Sequence, residues 1–430
     1  MGICIGKSPR PPNASHIYYS NKPAYPRKAF VQIKKKDSRG RVEERVKVSI
    51  SHTEPLLCVS EDLSMNFSVW GSACILPGID PHEKVFKTCQ DLCFFSSNGQ
   101  STILGVFDGH GKEGEHISNF CVKEADEIFN TCIGNFEDRP IELLSSIFET
   151  IEKKLKEPNS VIDIANSGCS CALALVHNNI LYTANIGNSR AVLGTYNQSL
   201  SDASRPVTFS EEKYFLREIA KRRSSDLEKE PIPYQLTVDH TTNNKEEFLR
   251  ILKSGGRLQQ NSDKYGNRYG PYYIWKSYSN IPGLVVSRSI GNIIAEDIGV
   301  ISKADTATHS LSIEDDFFVM ASEGVWNVMT NQDVVNYVAA YKDQAKRIIV
   351  PYENCREISV KEACIAQLIC EEARVRWLAL VENEDSMIED ISCIVLEFDQ
   401  KTERRSHTGY RMIMERISTL NQNKKKEVSG

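Results

Sequence analysis

The stretch Thr102-Ile-Leu-Gly-Val-Phe-Asp-Gly-His-Gly111 joins a continuous apolar run to an abrupt polar turn. Its first six residues are typical of a buried β-strand, because short apolar runs bounded by turn residues favour that structure. The strand delivers the carboxylate of Asp108, the carbonyl of Gly109 and the imidazole of His110 into one tight turn. Hard divalent cations prefer carboxylate and carbonyl oxygens, so the turn predicts either a metal site or a plain Asp-Gly turn.

Similar apolar runs on either side of this stretch predict more strands and a few helices. Strands are predicted at residues 171–176, 180–184, 317–321 and 391–396, with a turn at Asn178-Asn179 between the first two. Helical spacing predicts a helix opened by Pro140. Thr330 and Asp333 predict the capped start of another helix. Strands follow one another like hairpins while helices come in blocks. The fold class is therefore predicted as α+β with antiparallel sheets.

The composition is that of an ordinary globular protein. The chain has 430 residues, of which 40% are hydrophobic and 25% charged. No apolar run approaches the ~18 residues that a membrane-spanning helix needs, and no signal-peptide pattern is present. Thirteen cysteines form no CxxC pair, which indicates thiols in a reducing compartment rather than a disulfide framework or a zinc site. We expect a cytoplasmic protein.

Charge divides the chain into an acidic body and two basic ends. Residues 1–50 carry 12 Lys/Arg against 3 Asp/Glu, residues 401–430 carry 8 against 3, and residues 51–400 carry 32 against 51. An acidic body argues against a nucleic-acid partner, because phosphate backbones are bound by surplus Lys and Arg. We predict an irregular basic arm at 1–66, where Pro9, Pro11, Pro12, Pro23 and Pro26 disfavour regular structure, followed by a domain at 67–400 and a basic tail at 401–430. A polar stretch at 195–233 is either a functional insertion or merely a solvated one.

Eight ordered motifs resemble those of the metal-dependent protein phosphatases of type 2C. They are Gln90-Asp91, Val106-Phe-Asp-Gly-His-Gly111, Asn185-Ile-Gly-Asn-Ser-Arg-Ala-Val192, Leu236-Thr-Val-Asp-His240, Ser254-Gly-Gly-Arg257, Gly283-Leu-Val-Val-Ser-Arg-Ser-Ile-Gly291, Ala321-Ser-Glu-Gly-Val-Trp326 and Glu389-Asp-Ile391. They span about residues 68–400, and so many motifs in one order make chance agreement implausible.

The resemblance implies a central antiparallel β-sandwich flanked by helices, with two Mg²⁺ or Mn²⁺ ions at one end. The family reaction is hydrolysis of phosphoserine and phosphothreonine by a metal-activated water. By motif, the ions would be held by Asp91, Asp108, the Gly109 carbonyl, Glu323 and Glu389. His110 would protonate the leaving oxygen of the serine or threonine.

This chain departs from the family pattern at several acidic positions. Glu323 and Glu389 stand where the family has Asp, and a longer side chain must shift the metal or retract. Asn188 and Asn327 replace Asp at positions associated with a third, weaker metal. Asn292 replaces a further Asp that we interpret as structural.

Phosphate-binding residues are less clearly marked. The family's phosphate-binding arginine has no counterpart before Gln90, where Lys84 and Lys87 are the nearest cations. Two hypotheses follow from the pattern as a whole: an active Mg²⁺- or Mn²⁺-dependent serine/threonine phosphatase, or a catalytically impaired pseudophosphatase that binds phosphoproteins or acts as a scaffold. We favour the enzyme, because a carboxylate is retained at each ligand position. In either case the partner is a phosphoprotein, and we expect a monomer.

The N-terminus carries a separate signal. Gly2 and Cys4 are candidates for myristoylation and palmitoylation, although Gly6 stands where the acylation pattern has Ser or Thr. Two acyl chains with the basic run Lys34-Lys-Lys36 would attach the arm to a membrane surface, whereas one chain would hold only marginally. An unmodified free arm is the alternative.

Overall fold

Two antiparallel β-sheets packed face to face form the centre of the molecule, and helices cover both outer surfaces. The computed structural model describes residues 30–32, 47–50, 56–61, 67–80, 85–97, 101–132, 136, 138–158, 160–202, 230–263, 265–342, 364–381 and 387–400. Every pairing between the named strands of these residues is antiparallel. The α+β class predicted from the sequence is confirmed.

The first sheet contains the strand from which the sequence analysis began. In spatial order its strands are β1 (Phe30–Gln32), β2 (Lys47–Ile50), β7 (Asp91–Ser97), β8 (Ser101–His110), β9 (Gly168–His177), β10 (Ile180–Ile186) and β17 (Asp305–Ser310), with β16 (Ile290–Gly291) beside the start of β9. The β9–β10 hairpin turns through Asn178 and Asn179, both at positive φ. Asparagine tolerates this left-handed region better than most residues, which explains the predicted turn.

The second sheet faces the first. Its spatial order is β12 (Ile232–Gln235), β11 (Arg190–Thr195), β18 (Asp315–Ala321), β19 (Ile391–Gln400), β4 (Phe67–Leu76) and β3 (Leu56–Glu61). Two small sheets lie outside the sandwich: β13 (Gly256–Ser262), β14 (Arg268–Lys276) and β15 (Pro282–Leu284) form one, and β5 (Ile79–Asp80) and β6 (Val85–Phe86) the other.

Side chains alternate along the strands and so build separate layers of core. Leu104 and Val106 of β8 pack between the sheets with Phe318 and Met320 of β18, while Phe107 points to the helices. This period of two is the expected geometry of a strand covered on both faces. Burial on both faces makes these strands read as apolar runs in the sequence.

Helices form the outer layers. α1 (Gly114–Cys132) and α2 (Pro140–Leu155) cover the first sheet; α5 (Asn331–Tyr341) and α6 (Ile365–Val381) cover the second. The shorter helices α3 (Lys245–Lys253) and α4 (Glu323–Trp326) lie between strands, as do 3₁₀ helices at Gln198–Asp202 and Ile293–Ile298. The predicted Thr330–Asp333 capping box opens α5, because each residue's side chain accepts a bond from the other's backbone N–H.

The predicted N-terminal arm differs from the structure. The expectation of irregular chain through residue 66 was wrong for three segments, because β1, β2 and β3 lie within it and extend the two sheets. The prolines that suggested irregular chain lie outside these strands, so they do not remove any ladder hydrogen bond from them. The tail at 401–430 lies outside the described residues.

The polar stretch at 195–233 falls between two neighbouring strands. It begins at the end of β11 and reaches into β12, which pairs with β11 from Val192 to Thr195. Residues 203–229 lie outside the described part of the chain. Within the described part, no helix is long and apolar enough to cross a membrane. Ten of the cysteines in that part, from Cys74 to Cys393, are free thiols.

Candidate metal centre

The predicted metal ligands Asp91 and Asp108 face each other across two neighbouring strands. Asp91 is the first residue of β7 and Asp108 lies near the end of β8, and the antiparallel register pairs them directly. Side chains of directly opposed residues on one face lie about 4.5–5.5 Å apart at Cβ. The pairing therefore places two carboxyl groups together at one edge of the first sheet.

Both carboxyl groups lie in an environment that disfavours their charge. Asp91 is 2% exposed; its Oδ2 accepts a hydrogen bond of 2.7 Å from Ser392 Oγ, and its Oδ1 has no donor among the described residues. Burial raises the pKa of Asp91, and the charge of Asp390 adds to that shift. Burial likewise raises the pKa of Asp108 well above its usual value, and the negative charges of Asp91 and Glu323 raise it further.

Glu323 and Glu389 reach the same end of the sandwich from the second sheet. Glu323 opens α4 and is separated from β18 by Ser322, and Glu389 is separated from the start of β19 by Asp390. Each lies near enough that its negative charge contributes to the raised pKa of Asp108. β18 and β19 are neighbours, so residues at the end of one and before the start of the other come to one edge. Four carboxyl groups thus gather around the turn that follows β8.

The two glutamates are already bound to other groups. Asn327 Nδ2 donates to Glu323 Oε1 at 2.8 Å, and the Asn188 side chain also bonds to Glu323. Lys87 Nζ lies 3.3 Å from Glu389 Oε2 in an ion pair. The predicted third-metal positions Asn188 and Asn327 therefore serve as amide partners of Glu323. Burial lowers the pKa of Lys87, but the charges of Glu389 and Asp390 outweigh that and raise it.

The donor set fits a divalent cation in part. No three His, Cys, Asp or Glu side chains of the described residues stand close enough together to hold a metal ion. The Asp91–Asp108 pair, in which Asp91 is buried and its Oδ1 unpartnered, nevertheless offers hard oxygen ligands that lack a positive partner. Asp91 and Asp108 fit such an ion, whereas Glu323 and Glu389 would each have to leave a present partner to reach it.

Gly109 occupies a position that only glycine can fill. A Cβ built on it would lie 2.3 Å from the Gly114 carbonyl oxygen and 2.9 Å from that of Gln90. Its N–H donates to the Gln90 carbonyl at 3.2 Å, which ties the turn to the residue before β7. This close approach of two backbones is the reason for the glycine, and the predicted carbonyl ligand lies beside the Asp91–Asp108 pair.

The imidazole of His110 is held by Asn292. His110 Nε2 lies 2.6 Å from Asn292 Nδ2 and 3.4 Å from Ser289 Oγ. Burial lowers the pKa of His110 to about 4, although a hydrogen bond to the Asp108 backbone acts in the opposite direction. The neutral ring therefore accepts the amide N–H of Asn292. Asn292, fully buried and at positive φ, orients the ring, and the role of His110 as proton donor stays a prediction.

Several contacts at this site were not predicted from the sequence. Asp390 Oδ2 accepts the N–H of Gln90 at 2.8 Å and Oδ1 accepts that of Gly78, so Asp390 ties the segments before β7 and β19 together. Gln90 Nε2 donates to the Gly111 carbonyl at 2.8 Å. The sequence feature that could have indicated this role is the position of Asp390 next to the candidate ligand Glu389, directly before β19. Lys84, Gly2 and Cys4 lie outside the described residues.

A family model and curated relatives that match this chain are all described as protein phosphatase 2C. The family model described as protein phosphatase 2C matches residues 80–372. "Probable protein phosphatase 2C 48" of Oryza sativa subsp. japonica is 26% identical over 286 residues, covering 61% of this chain and 72% of that protein. "Probable protein phosphatase 2C 61" of Arabidopsis thaliana is 27% identical over 307 residues, covering 70% and 77%.

A solved structure also resembles the fold. The serine-threonine phosphatase 2C of Toxoplasma gondii superposes with a TM-score of 0.55 at 15% identity, covering 83% of this chain and all of that one. At that identity the likeness supports the fold alone. The matched family region contains both halves of the Asp91–Asp108 pair and Glu323, while Glu389 lies beyond it.

Proposed function

The chain belongs to the protein phosphatase 2C family, and on that premise we propose that it hydrolyses phosphoserine and phosphothreonine in proteins with the help of Mg²⁺ or Mn²⁺. Members of this family are metal-dependent protein serine/threonine phosphatases. One observation carries the proposal: Asp91, which is buried and has an unpartnered oxygen, lies directly opposite Asp108 at the end of the sandwich where Glu323 and Glu389 also lie.

The residues present have distinct parts in this reaction. Asp91, Asp108 and the Gly109 carbonyl would hold the ion, and Ser392 fixes the orientation of Asp91. A bound divalent ion activates water and offsets negative charge on the phosphoryl group. Asn292 positions His110 beside the turn, where the ring can exchange a proton with the leaving oxygen. Lys87 pairs with Glu389 at the site and is the candidate contact for the phosphoryl group of the substrate.

The test is hydrolysis of a phosphoserine or phosphothreonine peptide by the full chain. Activity should appear with Mg²⁺ or Mn²⁺, disappear on chelation and be lost in Asp108→Asn. Asp297→Asn is the matched control, because Asp297 is 65% exposed and pairs with Lys276 away from the site. No hydrolysis by the folded wild-type chain with either metal would contradict the proposal.

The second candidate is a pseudophosphatase that binds phosphoproteins with little or no turnover. The observation in its favour is that Glu323 and Glu389 are bound to amide groups and to Lys87 rather than free for a metal. Under this alternative the folded protein binds the phosphopeptide in an equilibrium assay, while chelation changes neither binding nor the absence of product. Metal-dependent product formation decides for the enzyme.

Location and association stay proposals of their own. We propose a cytoplasmic monomer whose N-terminal arm attaches to membrane surfaces when Gly2 and Cys4 are acylated. Fractionation of the intact protein beside Gly2→Ala tests attachment, and sedimentation tests the monomer. Equal solubility of the two proteins would leave the arm as a segment without a membrane role.

A further inference from the structure

Lys87 lies at the carboxylate site in a position set by its backbone. Its N–H donates to the Gly78 carbonyl at 2.9 Å, and its aliphatic chain lies against Gly78, with Cδ 2.9 Å from where a Cβ of that glycine would stand. Gly78 in turn donates its N–H to Asp390. This anchoring leaves the ammonium group facing Glu389, 3.3 Å away, with the Lys87 side chain 29% and the Glu389 side chain 48% exposed.

The pairing has a consequence for the binding of cations by Glu389. The carboxylate bound to Lys87 already has a positive partner, so a divalent ion that used Glu389 would have to displace an ammonium held from the neighbouring segment. Two like charges at one carboxylate repel each other. Lys87 and a second metal ion therefore compete for the same ligand.

Glu323, the other glutamate at the site, also has hydrogen-bond partners. Asn327 donates to Glu323 Oε1 at 2.8 Å, and Asn188, which is 6% exposed, bonds to the same carboxyl group. Amide N–H donors occupy lone pairs that a metal would need. By contrast, Asp91 Oδ1 has no donor among the described residues. Cation binding by the site is thus favoured on the side of Asp91 and Asp108 and opposed on the side of the glutamates.

We propose that the ammonium group of Lys87 takes the place of a second divalent ion, so that the site binds a single Mg²⁺ or Mn²⁺ on the Asp91–Asp108 side. This inference rests on the proposed metal dependence but goes beyond it in the number of ions and in the role of Lys87. It differs from the two ions expected from the family resemblance. The physical basis is that Lys87, unlike a bound ion, is covalently part of the chain and is already fixed beside Glu389.

The experiment counts the ions bound by the full chain after chelation and dialysis. Mn²⁺ is titrated into the protein, and free Mn²⁺ is followed by its paramagnetic resonance signal with calorimetry in parallel. Lys87→Met keeps the length of the side chain and removes the charge, and Lys87→Arg keeps the charge. Lys112→Met is the matched control, because Lys112 follows the site turn but its side chain is 92% exposed. Circular dichroism and thermal unfolding establish that each variant is folded.

We expect one Mn²⁺ in the wild type, in Lys87→Arg and in Lys112→Met, and two in Lys87→Met. Two ions in the wild type, or one ion in folded Lys87→Met, would overturn the role of Lys87 and leave the proposed phosphatase intact. No Mn²⁺ in any of the four proteins would overturn this inference together with the metal dependence. Phosphopeptide hydrolysis, measured separately, shows whether the proposed function itself fails.

Discussion

Two groups of carboxylates in this protein are built on opposite electrostatic principles. The carboxylate cluster, defined as Asp91, Asp108, Glu323 and Glu389, gathers four acidic side chains around the end of β8. The arginine network consists of Glu247, Arg250, Ser287, Arg288 and Asp305, between α3, residues 287–288 and β17. Each group contains a buried carboxyl group, Asp91 in the first and Glu247 in the second, but of these two only Glu247 is matched by positive charge.

In the arginine network both carboxylate oxygens of Glu247 accept hydrogen bonds. Arg250 donates to both carboxylate oxygens at 2.7 Å, and Arg288 and Ser287 donate as well. Burial alone would raise the pKa of Glu247, but these hydrogen bonds lower it to about 2. Arg288 also bonds to Asp305 at 2.7 Å, and Asp305 accepts from His240. The network behaves as a structural link between helix and strand.

In the carboxylate cluster the opposite holds. Burial and neighbouring negative charge raise the pKa of Asp91, Asp108 and Glu323. Lys87 is the cation that pairs with a member of the cluster, and it pairs with Glu389. Uncompensated buried charge is costly, so its presence indicates a site that gains a cation for its function. A carboxylate that is paired with arginine side chains therefore stabilises the fold, whereas one without a positive partner is available for chemistry.

The largest effect should come from removing one charge from the carboxylate cluster. We expect Asp108→Asn to lower metal-dependent phosphatase activity by at least about 10²-fold, because the ion contributes several kcal/mol and ~1.4 kcal/mol is tenfold in rate. The free energy of unfolding of the metal-free protein should stay within about 1 kcal/mol of wild type, or rise, because a like charge is removed. Chemical denaturation measures it. A large loss of stability would contradict the comparison.

The second-largest effect should be a loss of stability without a loss of activity, the reverse of the effect of Asp108→Asn. Glu247→Gln removes one of the two carboxylates paired with Arg288, whose side chain is 12% exposed, and leaves Asp305 as its remaining charged partner. We expect the free energy of unfolding to fall by about 3 kcal/mol, the scale for breaking a buried ion pair. Activity per folded molecule should be unchanged below the unfolding transition. Denaturant titration and hydrolysis assays check both, and an equal loss of activity in fully folded protein would argue that the network acts in catalysis.

The pH dependence of the Glu247 contribution follows from its pKa. Since this pKa is about 2 in the folded protein and near 4.5 when the chain is unfolded, the ionised form stabilises the fold. The stability difference between wild type and Glu247→Gln should be complete above about pH 5 and shrink as the pH falls towards 2. Unfolding curves at several pH values test this. A difference that grows on acidification would mean that the pairing is not ionic.

The smallest effect should come from an exposed ion pair. Lys276 Nζ lies 2.8 Å from Asp297 Oδ2, as close as the contacts in the arginine network, but the side chains are 32% and 65% exposed. We expect Lys276→Ala to change the free energy of unfolding by less than about 1 kcal/mol, since solvent screens such pairs. Thermal unfolding at low and high salt provides the measurement. A loss near that of Glu247→Gln would show that distance, and not burial, sets the difference.

Much of the architecture and several site residues could be predicted from local patterns. The apolar run before Asp108 became β8, and the Asn178-Asn179 turn and the Thr330–Asp333 capping box stand where they were predicted. These features depend on residues within a few positions of one another, through backbone sterics and side-chain period. The strands within the N-terminal arm were missed because their edge pairing depends on distant partners.

The sequence by itself determined which residues end the strands, and hence that Asp91, Asp108, Glu323 and Glu389 are acidic groups at strand termini. Only the tertiary structure decided their partners. Lys87 and Glu389 are 302 positions apart, and Asn292 and His110 are 182 apart. Such contacts depend on the register of β7, β8 and β19 across two sheets. Registry is a property of the packed sandwich, because a hydrogen-bond ladder and an apolar face fix it jointly.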